Sequence, residues 1–365
     1  MSSIVDGADI KGSVLCAMSG GVDSSASAML LKEQGYRVVG VTMRLFEQDG
    51  CAQTADGHDQ AVLDARAVCD RLGIEHEVCD FRSIFDDSVV EPFCRSYLAG
   101  LTPNPCIECN KALKFGALHD LRKRKGFDFV ATGHYVRRRF NEETARFELL
   151  RGQDPKKDQS YVLYHLTQDH LAHMLFPVGD ITKDKTRSYA TQSGLSVADK
   201  PESQDICFIP DGDYVGFIER RIGRALEPGA IVDREGNRLG THQGLARYTL
   251  GQRKGLGVAV GEPLFVLGKD VARNELVVGT ASETGVSRID AADISFISGA
   301  APAGEIEVEV KTNYRGLPRK ARAHVESGRL VVELEDPIRS VAPGQAVVLY
   351  QGDIVLGGGT IVSFG

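Results

Sequence analysis

The sequence predicts an α/β chain, a doubly wound parallel-sheet domain followed by β-rich material. Two observations predict it. Over the first two hundred residues, short apolar runs alternate with segments whose apolar positions have helical spacing, as in strand–helix–strand units with helices on both sheet faces. After about Ile209 the texture changes to short β-branched runs separated by Gly, Asn-Glu or Asp turns. That is the pattern of antiparallel structure in small barrels or sandwiches.

In order, SVLCAM reads as a buried strand, followed by a Gly turn and the helix SSASAMLLKEQG. YRVVGVTM is a second strand, and HDQAVLDARAVCDRLG a helix that stops at Gly73. HEVCDF is strand-like, SIFDDSVVEPFCRSYLAG and KALKFGALHDLRKRKG are helical, and FDFVATGH closes the series as a strand. Five later stretches read as β: ALEPGAIVDREGNRLGTHQG, PLFVLGKDVARNELVVG, EIEVEVKTNYRG, ARAHVESGRLVVELEDP and QAVVLYQGDIVLGGGTIVSFG. There is no internal repeat and no low-complexity linker.

At 365 residues, with 42% hydrophobic and 25% charged residues, the chain has room for two or three domains and shows no sign of disorder. No apolar run reaches the roughly 20 residues a membrane helix needs, and the first residues lack a basic start and apolar core. A cytoplasmic enzyme with no membrane partner is therefore expected. Eight cysteines in a reducing compartment are core residues or chemical ones. Cys16, Cys69 and Cys79 lie in apolar patterned segments and Cys94 in a helix, so all four read as core. Cys51 lies in a polar stretch that decides nothing. Cys106, Cys109 and Cys207 remain.

The net charge of −7 argues weakly against a polyanionic partner. Basic residues nevertheless cluster in LRKRKG, YVRRRF and KTNYRGLPRKAR. Each run alone is most simply a solvated face. Three of them in an acidic chain suggest a localised basic track.

SGGVDSS, residues 19–25, falls where the first strand ends and the first helix begins. Glycines there let the backbone approach a ligand closely, and the new helix offers free N–H groups to phosphate. Ser19, Ser24 and Ser25 add hydroxyls, and Asp23 either orients the loop or helps hold Mg²⁺. The loop is neither GxxxxGK[ST] nor GxGxxG. It resembles the PP-loop of ATP pyrophosphatases. Gly133, in ATGHY after the FDFV strand, stands where a nucleotide would cross the carboxyl edge of the sheet.

The CIEC pair, Cys106 and Cys109, follows a Pro-Asn-Pro loop. Such pairs occur in zinc ribbons, redox pairs and Fe–S sites. A zinc ribbon needs a second knuckle, which is absent; the one distal partner is Cys207 in SQDICFIP.

SGGVDSS, LTPNPCIECNKALKF, ATGHYVR, KDQSYVLY, SQDICFIP, HQGLARYTLGQRKGLG, KTNYR and PGQAVVLY, in this order, closely resemble the bacterial tRNA-specific 2-thiouridylase family, from about Gly12 to the C-terminus. The resemblance implies a PP-loop catalytic domain (residues 1–210), a small central β-rich domain (211–283) and a C-terminal β-barrel that helps hold tRNA (284–365). It implies an ATP site at Ala17, Met18, Ser19, Gly20, Gly21, Val22, Asp23 and Ser24, with Met43 and Gly133. Asn104, Pro105 and Cys106 would meet the target uridine. Contacts to tRNA would come from His134, Lys157, Asp158, Gln159, Asn313, Tyr314 and Gln345. Without its motif, His134 would more often be structural.

The implied scheme uses ATP with Mg²⁺ to adenylate the uridine C2 oxygen, releasing pyrophosphate. Cys207 carries a persulfide whose sulfur attacks C2 and expels AMP. Cys109 then frees the sulfur, leaving a Cys109–Cys207 disulfide, which requires approach to roughly 6 Å between Cα atoms. The sulfur donor would be a cysteine desulfurase or a sulfur-relay protein, and the acceptors glutamate, glutamine and lysine tRNAs.

Two positions depart from the family pattern. Many members carry Asp where this chain has Cys106, and a thiol with a pKa of about 8.5 replaces that carboxylate only where its site lowers the value. Alternatively Cys106, Cys109 and Cys207 ligate a [4Fe–4S] cluster with one iron open to sulfide. Both readings, and a minor zinc one, stay open at this stage. Asn313 stands where a basic residue is expected, which removes one phosphate contact. The rival readings are another PP-loop enzyme, such as an amide-forming ligase or NAD synthetase, and a non-catalytic RNA-binding module. The first leaves the cysteines and the β-rich half unused; the second leaves the nucleotide loop unused.

Overall fold

The computed structural model describes residues 10–46, 60–195, 197, 200, 206–258, 261–339 and 341–365. The chain forms two compact units, Met1–Asp86 with Cys109–Gln204, and Asp87–Glu108 with Asp205–Gly365. Cys51 lies outside the described residues.

The first unit contains strands β1 (Ser13–Ala17), β2 (Arg37–Arg44), β3 (Glu75–Asp80), β4 (Phe129–Ala131), the hairpin β5 (Val136–Asn141) and β6 (Arg146–Arg151), and β7 (Met174–Leu175). Its parallel sheet has the order β3-β2-β1-β4-β7. This is the doubly wound architecture expected from the alternating periodicity. The chain runs from β1 outward to β2 and β3, then crosses to the other side of β1 as β4. The switch point therefore lies between the carboxyl ends of β1 and β4, where open α/β sheets bind ligands. β1 is central because Val14, Leu15 and Cys16 are apolar on both faces and fully buried. Helices Val22–Glu33, Gln60–Leu72 and Lys183–Gln192 supply Met29, Leu31, Val68, Cys69 and Ala190 to this core.

The core reading holds for Cys16, Cys69 and Cys94, which are buried; Cys79 is half-buried on the edge strand β3. Burial pushes the Cys16 thiol far up and that of Cys69 up to about 11, so neither is a ready nucleophile.

The basic runs of this unit are not a free track. Arg122 is buried, and its guanidinium donates to the carbonyls of Phe127 and Asp128 at 3.1 and 3.0 Å. Lys123 pairs with Asp169, Lys125 with Glu77 and Arg139 with Glu148, while Arg138 donates to the carbonyl of Leu171. These cations close helix ends and hairpin edges, which a count of charges along the sequence cannot distinguish from an RNA-facing surface.

The second unit begins with a segment that the order of the sequence assigns to the first half. Helix Glu91–Leu98 packs Phe93 edge-on against Phe208, with ring centres 5.4 Å apart, and Tyr97 against Tyr214 at 4.9 Å. Strands β8 (Gly229–Val232), β9 (Arg238–His242), β10 (Phe265–Asp270) and β11 (Glu275–Gly279) form a sheet of order β10-β11-β8-β9. Then β12 (Val286–Phe296), β13 (Ile306–Lys311), β14 (Arg319–Glu326), β15 (Arg329–Ile338), β16 (Ala346–Gln351) and β17 (Ile354–Phe364) form a six-stranded ring, β12-β15-β14-β13-β16-β17, closed by β17 on β12. Ile289, Ala291, Val310, Leu330, Val332, Val347, Leu349 and Ile361 fill the interior, as alternation along barrel strands requires.

Closure depends on the glycine run 357–359. The register of β12 against β17 slips between Ala292 and Ser295, and Gly357 takes φ +150° against the Ser295 backbone. A Cβ there would fall 2.1 Å from the Ser295 carbonyl oxygen. Gly357→Ala is therefore expected to destabilise the barrel by about 3 kcal/mol, read as an earlier urea midpoint for the second unit. Unchanged stability would contradict the closure described.

Candidate functional site

The nucleotide loop is organised by its own hydroxyls. Ser24 Oγ donates to the Gly21 carbonyl at 3.0 Å and accepts the Ser19 N–H at 3.2 Å, and Ser25 Oγ also reaches the Gly21 carbonyl. Gly20 adopts φ +68°, and a Cβ on it would lie 2.6 Å from the Ala61 carbonyl, so only glycine fits. Ser19 is exposed at the mouth of the loop. Helix Val22–Glu33 starts at Gly21 with no side-chain cap, which leaves its first N–H groups for an anion. On the sheet side, the Met18 N–H bonds to the Val41 carbonyl, Thr42 Oγ1 donates to the Met18 carbonyl, and half-buried Met43 follows at the end of β2.

Asp23 is tied into the loop by a lysine and a tyrosine. Lys183 Nζ lies 2.6 and 2.8 Å from its two carboxylate oxygens, and the Tyr135 hydroxyl donates to the nearer at 2.7 Å. Lys183 is buried, its ammonium sits 5.7 Å from the Tyr135 ring centre, and the Tyr135 hydroxyl also meets Thr186 Oγ1 at 3.0 Å. These contacts fit the orienting role that the sequence leaves open to Asp23. Lys200 Nζ donates to the Gly20 carbonyl at 3.1 Å and pairs with Asp64 at 2.5 Å. Neither Lys183 nor Lys200 lies in a glycine-loop motif, and nothing in the sequence singles them out.

Gly133 is brought against this loop from β4. A Cβ on it would stand 2.8 Å from the backbone of Asp23 and Ser24. Two motifs more than a hundred residues apart therefore meet at the switch point. The next residue, His134, is buried: its Nδ1 is 2.8 Å from Thr132 Oγ1 and its Nε2 3.2 Å from Lys114 Nζ. Burial, and then the Lys114 ammonium, hold its pKa well below the usual value. A neutral imidazole that accepts from Lys114 carries its proton on Nδ1. This ring has almost no exposed edge, because packing and two bonds engage it. His165, within the KDQSYVLYHL run, is also buried, and neither ring nitrogen has a partner among the described residues; burial lowers its pKa to about 3.

The cysteine segment is a helix, Pro105–Cys109, with Pro105 buried in the first turn, running into the π-helical Asn110–Ala117 and then Leu118–Lys125. Cys106 is exposed and Cys109 half-buried, one turn apart and so on one face. Asn110, next to Cys109, is buried and donates to the Val162 carbonyl at 3.3 Å, which fixes that turn.

In the second unit, the loop before Cys106 is gripped by the barrel. The Thr102 N–H bonds to the Pro343 carbonyl at 2.8 Å, and Gln345 Nε2 donates to the carbonyls of Thr102 and Pro103. Gly344, at φ +92°, allows this approach. Gln345 thus holds the segment Asn104-Pro105-Cys106. Cys207 is exposed, and its neighbours Phe208 and Ile209 are buried, Phe208 on the Phe93 ring. The other residues expected at tRNA divide. Asp158 accepts from Gly152 N, Ser160 N and Ser160 Oγ, and Gln159 Oε1 accepts from Tyr135 N, so both are engaged within their own unit. Lys157 is half-buried; Asn313 precedes Tyr314, which is exposed on a barrel loop.

Residues 12–211 match the family described as tRNA methyl transferase HUP domain, residues 215–280 its PRC-barrel domain, and residues 286–361 the aminomethyltransferase beta-barrel domain. The chain is 46% identical over 358 residues to the tRNA-specific 2-thiouridylase MnmA of Moorella thermoacetica, which covers 96% of this chain and 99% of that one. It is 47% identical over 363 residues to the protein of the same name from Heliobacterium modesticaldum, covering 97% and 93%. A solved structure, the U34-tRNA thiolase NcsA from Methanococcus maripaludis with its [4Fe-4S] cluster, is 20% identical over 59% of this chain and 69% of that one. Its TM-score of 0.35 is too low to bear on this chain.

Two outcomes follow from the loop. Lys183→Met leaves the Asp23 carboxylate without its cation. It should raise the Kd for ATP at least tenfold and cost about 2 kcal/mol of stability, discounted because Asp23 is one-third exposed; calorimetric ATP titration checks the first and urea unfolding the second. His165 binds no proton in the folded unit until about pH 3, whereas the unfolded chain protonates near the ordinary 6.5. Its contribution is therefore complete above about pH 6.5 and is lost as pH falls, by about 1.4 kcal/mol per unit. His165→Leu should flatten the acid limb of a stability–pH profile by about that slope, and an unchanged slope would contradict the burial.

Proposed function

This chain belongs to the tRNA-specific 2-thiouridylase family, and we propose on that footing that it uses ATP to exchange O2 of a tRNA wobble uridine for sulfur. The observation that carries the reading is the opening at the switch point, where Gly133 lies against the Asp23–Ser24 backbone beside the uncapped start of a helix.

ATP would lie along Ala17 to Ser24, between Met43 and Gly133, with Mg²⁺ brought on its phosphates, since Asp23 is committed to Lys183 and Tyr135. The uridine C2 oxygen attacks the α-phosphorus; an O–P bond forms, the bond to the β-phosphate breaks, and pyrophosphate leaves. AMP is a far better leaving group than the original oxygen. The outer sulfur of a Cys207 persulfide attacks C2, and AMP departs with its electron pair. The Cys109 thiolate then attacks the inner sulfur, breaking the S–S bond. The uridine keeps one sulfur, the cysteines are left as a disulfide, and an external thiol restores them. The uridine lies against Asn104, Pro105 and Cys106, and the anticodon stem is held by Lys157, Tyr314 and Asn313. We place the protein in the cytoplasm, taking sulfur from a cysteine desulfurase or a relay protein and acting on glutamate, glutamine and lysine tRNAs. No helix among the described residues is long and apolar enough to cross a membrane.

A second reading is favoured by the exposed Cys106 standing one helical turn from Cys109. Cys106, Cys109 and Cys207 offer three thiolates that would hold a [4Fe–4S] cluster. Such a cluster, when bound, supplies an open iron for sulfide in place of a protein persulfide.

Thiolation of unmodified tRNA with ATP, by anaerobically purified and by iron-free protein, tests both. Cys109→Ala should abolish 2-thiouridine formation while ATP binding stays within about twofold, and thiolation that survives this change would end the proposal. Robust activity without iron selects the persulfide route. Stoichiometric iron and acid-labile sulfide, lost on Cys106→Ser together with activity, selects the cluster.

A further inference from the structure

The first unit gathers imidazoles that no step above uses. His119 belongs to the helix Leu118–Lys125, and Asp169 and His173 stand four residues apart on one face of the helix Gln168–His173. His119 Nε2 lies 3.2 Å from Asp169 Oδ2, and His173 Nδ1 lies 3.3 Å from Asp169 Oδ1. One ligand atom from each of the three falls within 4.8 Å of the other two. Tetrahedral zinc with bonds of about 2.1 Å sets its ligands roughly 3.4 Å apart, so side-chain rotations would close the set, with His173 Nδ1 giving up its 2.9 Å bond to the Asp169 backbone carbonyl.

The site is anchored on one side and open on the other. His119 is buried, its ring packed edge-on against His170 with centres 5.2 Å apart, while His173 is half-buried and Asp169 exposed. The carboxylate already attracts a cation: Lys123 Nζ stands 3.0 Å from Asp169 Oδ2. That lysine is half-exposed and can swing into water. Two imidazole nitrogens and one carboxylate oxygen suit zinc far better than magnesium or calcium, which prefer all-oxygen shells.

We propose that His119, Asp169 and His173 bind one zinc ion, with Lys123 displaced and water completing the shell. The ion clamps helix Gln168–His173 to helix Leu118–Lys125, the continuation of the segment that carries Cys109. Its role is positional, since no substrate atom is involved.

The test must separate this site from the cysteines. The full chain with Cys106, Cys109 and Cys207 all changed to Ser is stripped with chelator and titrated with Zn²⁺. One equivalent should bind, and the Tm should rise with it. Adding His173→Ala or Asp169→Asn should weaken that binding at least tenfold and remove the Tm shift. Adding Lys123→Ala should tighten it several-fold, because the competing ammonium is gone. Co²⁺ in the same protein should give d–d absorption without a sulfur charge-transfer band. Failure of the triple-serine chain to bind zinc, or equal binding after His173→Ala and Asp169→Asn, would overturn the proposal. So would loss of affinity on Lys123→Ala.

Discussion

The first unit turns on one close approach, Gly133 against the backbone of Asp23 and Ser24. It can exist only because β4 lies beside β1, so that the loops leaving their carboxyl ends share one opening. It then needs the loop held still. Lys183 and Tyr135 do this through Asp23, Lys200 through the Gly20 carbonyl, and Ser24 and Ser25 from within. An oriented set of N–H groups stabilises the charge that builds on a phosphate only if it does not have to reorganise as the charge forms. The clamp supplies that rigidity.

The same division of labour appears in the second unit. The loop that leads to Cys106 is held by Pro343, Gly344 and Gln345 of the barrel, and the chain after Cys207 is held by the Phe208–Phe93 contact. The three cysteines outside the core stay at exposed or half-exposed positions, while their neighbours are buried. Pro105 and Ile107 flank Cys106, Asn110 follows Cys109, and Phe208 and Ile209 follow Cys207. The barrel therefore also shapes the loop that leads to Cys106.

Several residues were legible for their place and not for their work. His134 stands in a motif, yet its ring is buried between Thr132 and Lys114. Gln345, Asp158 and Gln159 read as RNA contacts and are seen bonding backbone of their own unit, because amides and carboxylates near tight turns find nearby N–H and C=O groups before solvent ligands. Arg122 and Arg138 read as part of a basic track and serve carbonyls at helix ends. A charge in a sequence has a sign but no direction.

By itself the sequence determined the periodicities, and with them the parallel sheet, the later β structure and the glycine loop, since side-chain spacing and backbone freedom are local properties. It also identified the cysteines left over once the core was filled. Only the tertiary structure decided that Asp23 meets Lys183 and Tyr135, that residues 87–108 pack with the C-terminal half, and that Gln345 grips the loop before Cys106. It alone paired His119 with Asp169 and His173. These depend on which distant groups arrive within about 3 Å of one another, and no spacing along a chain encodes that until the strands have chosen their order.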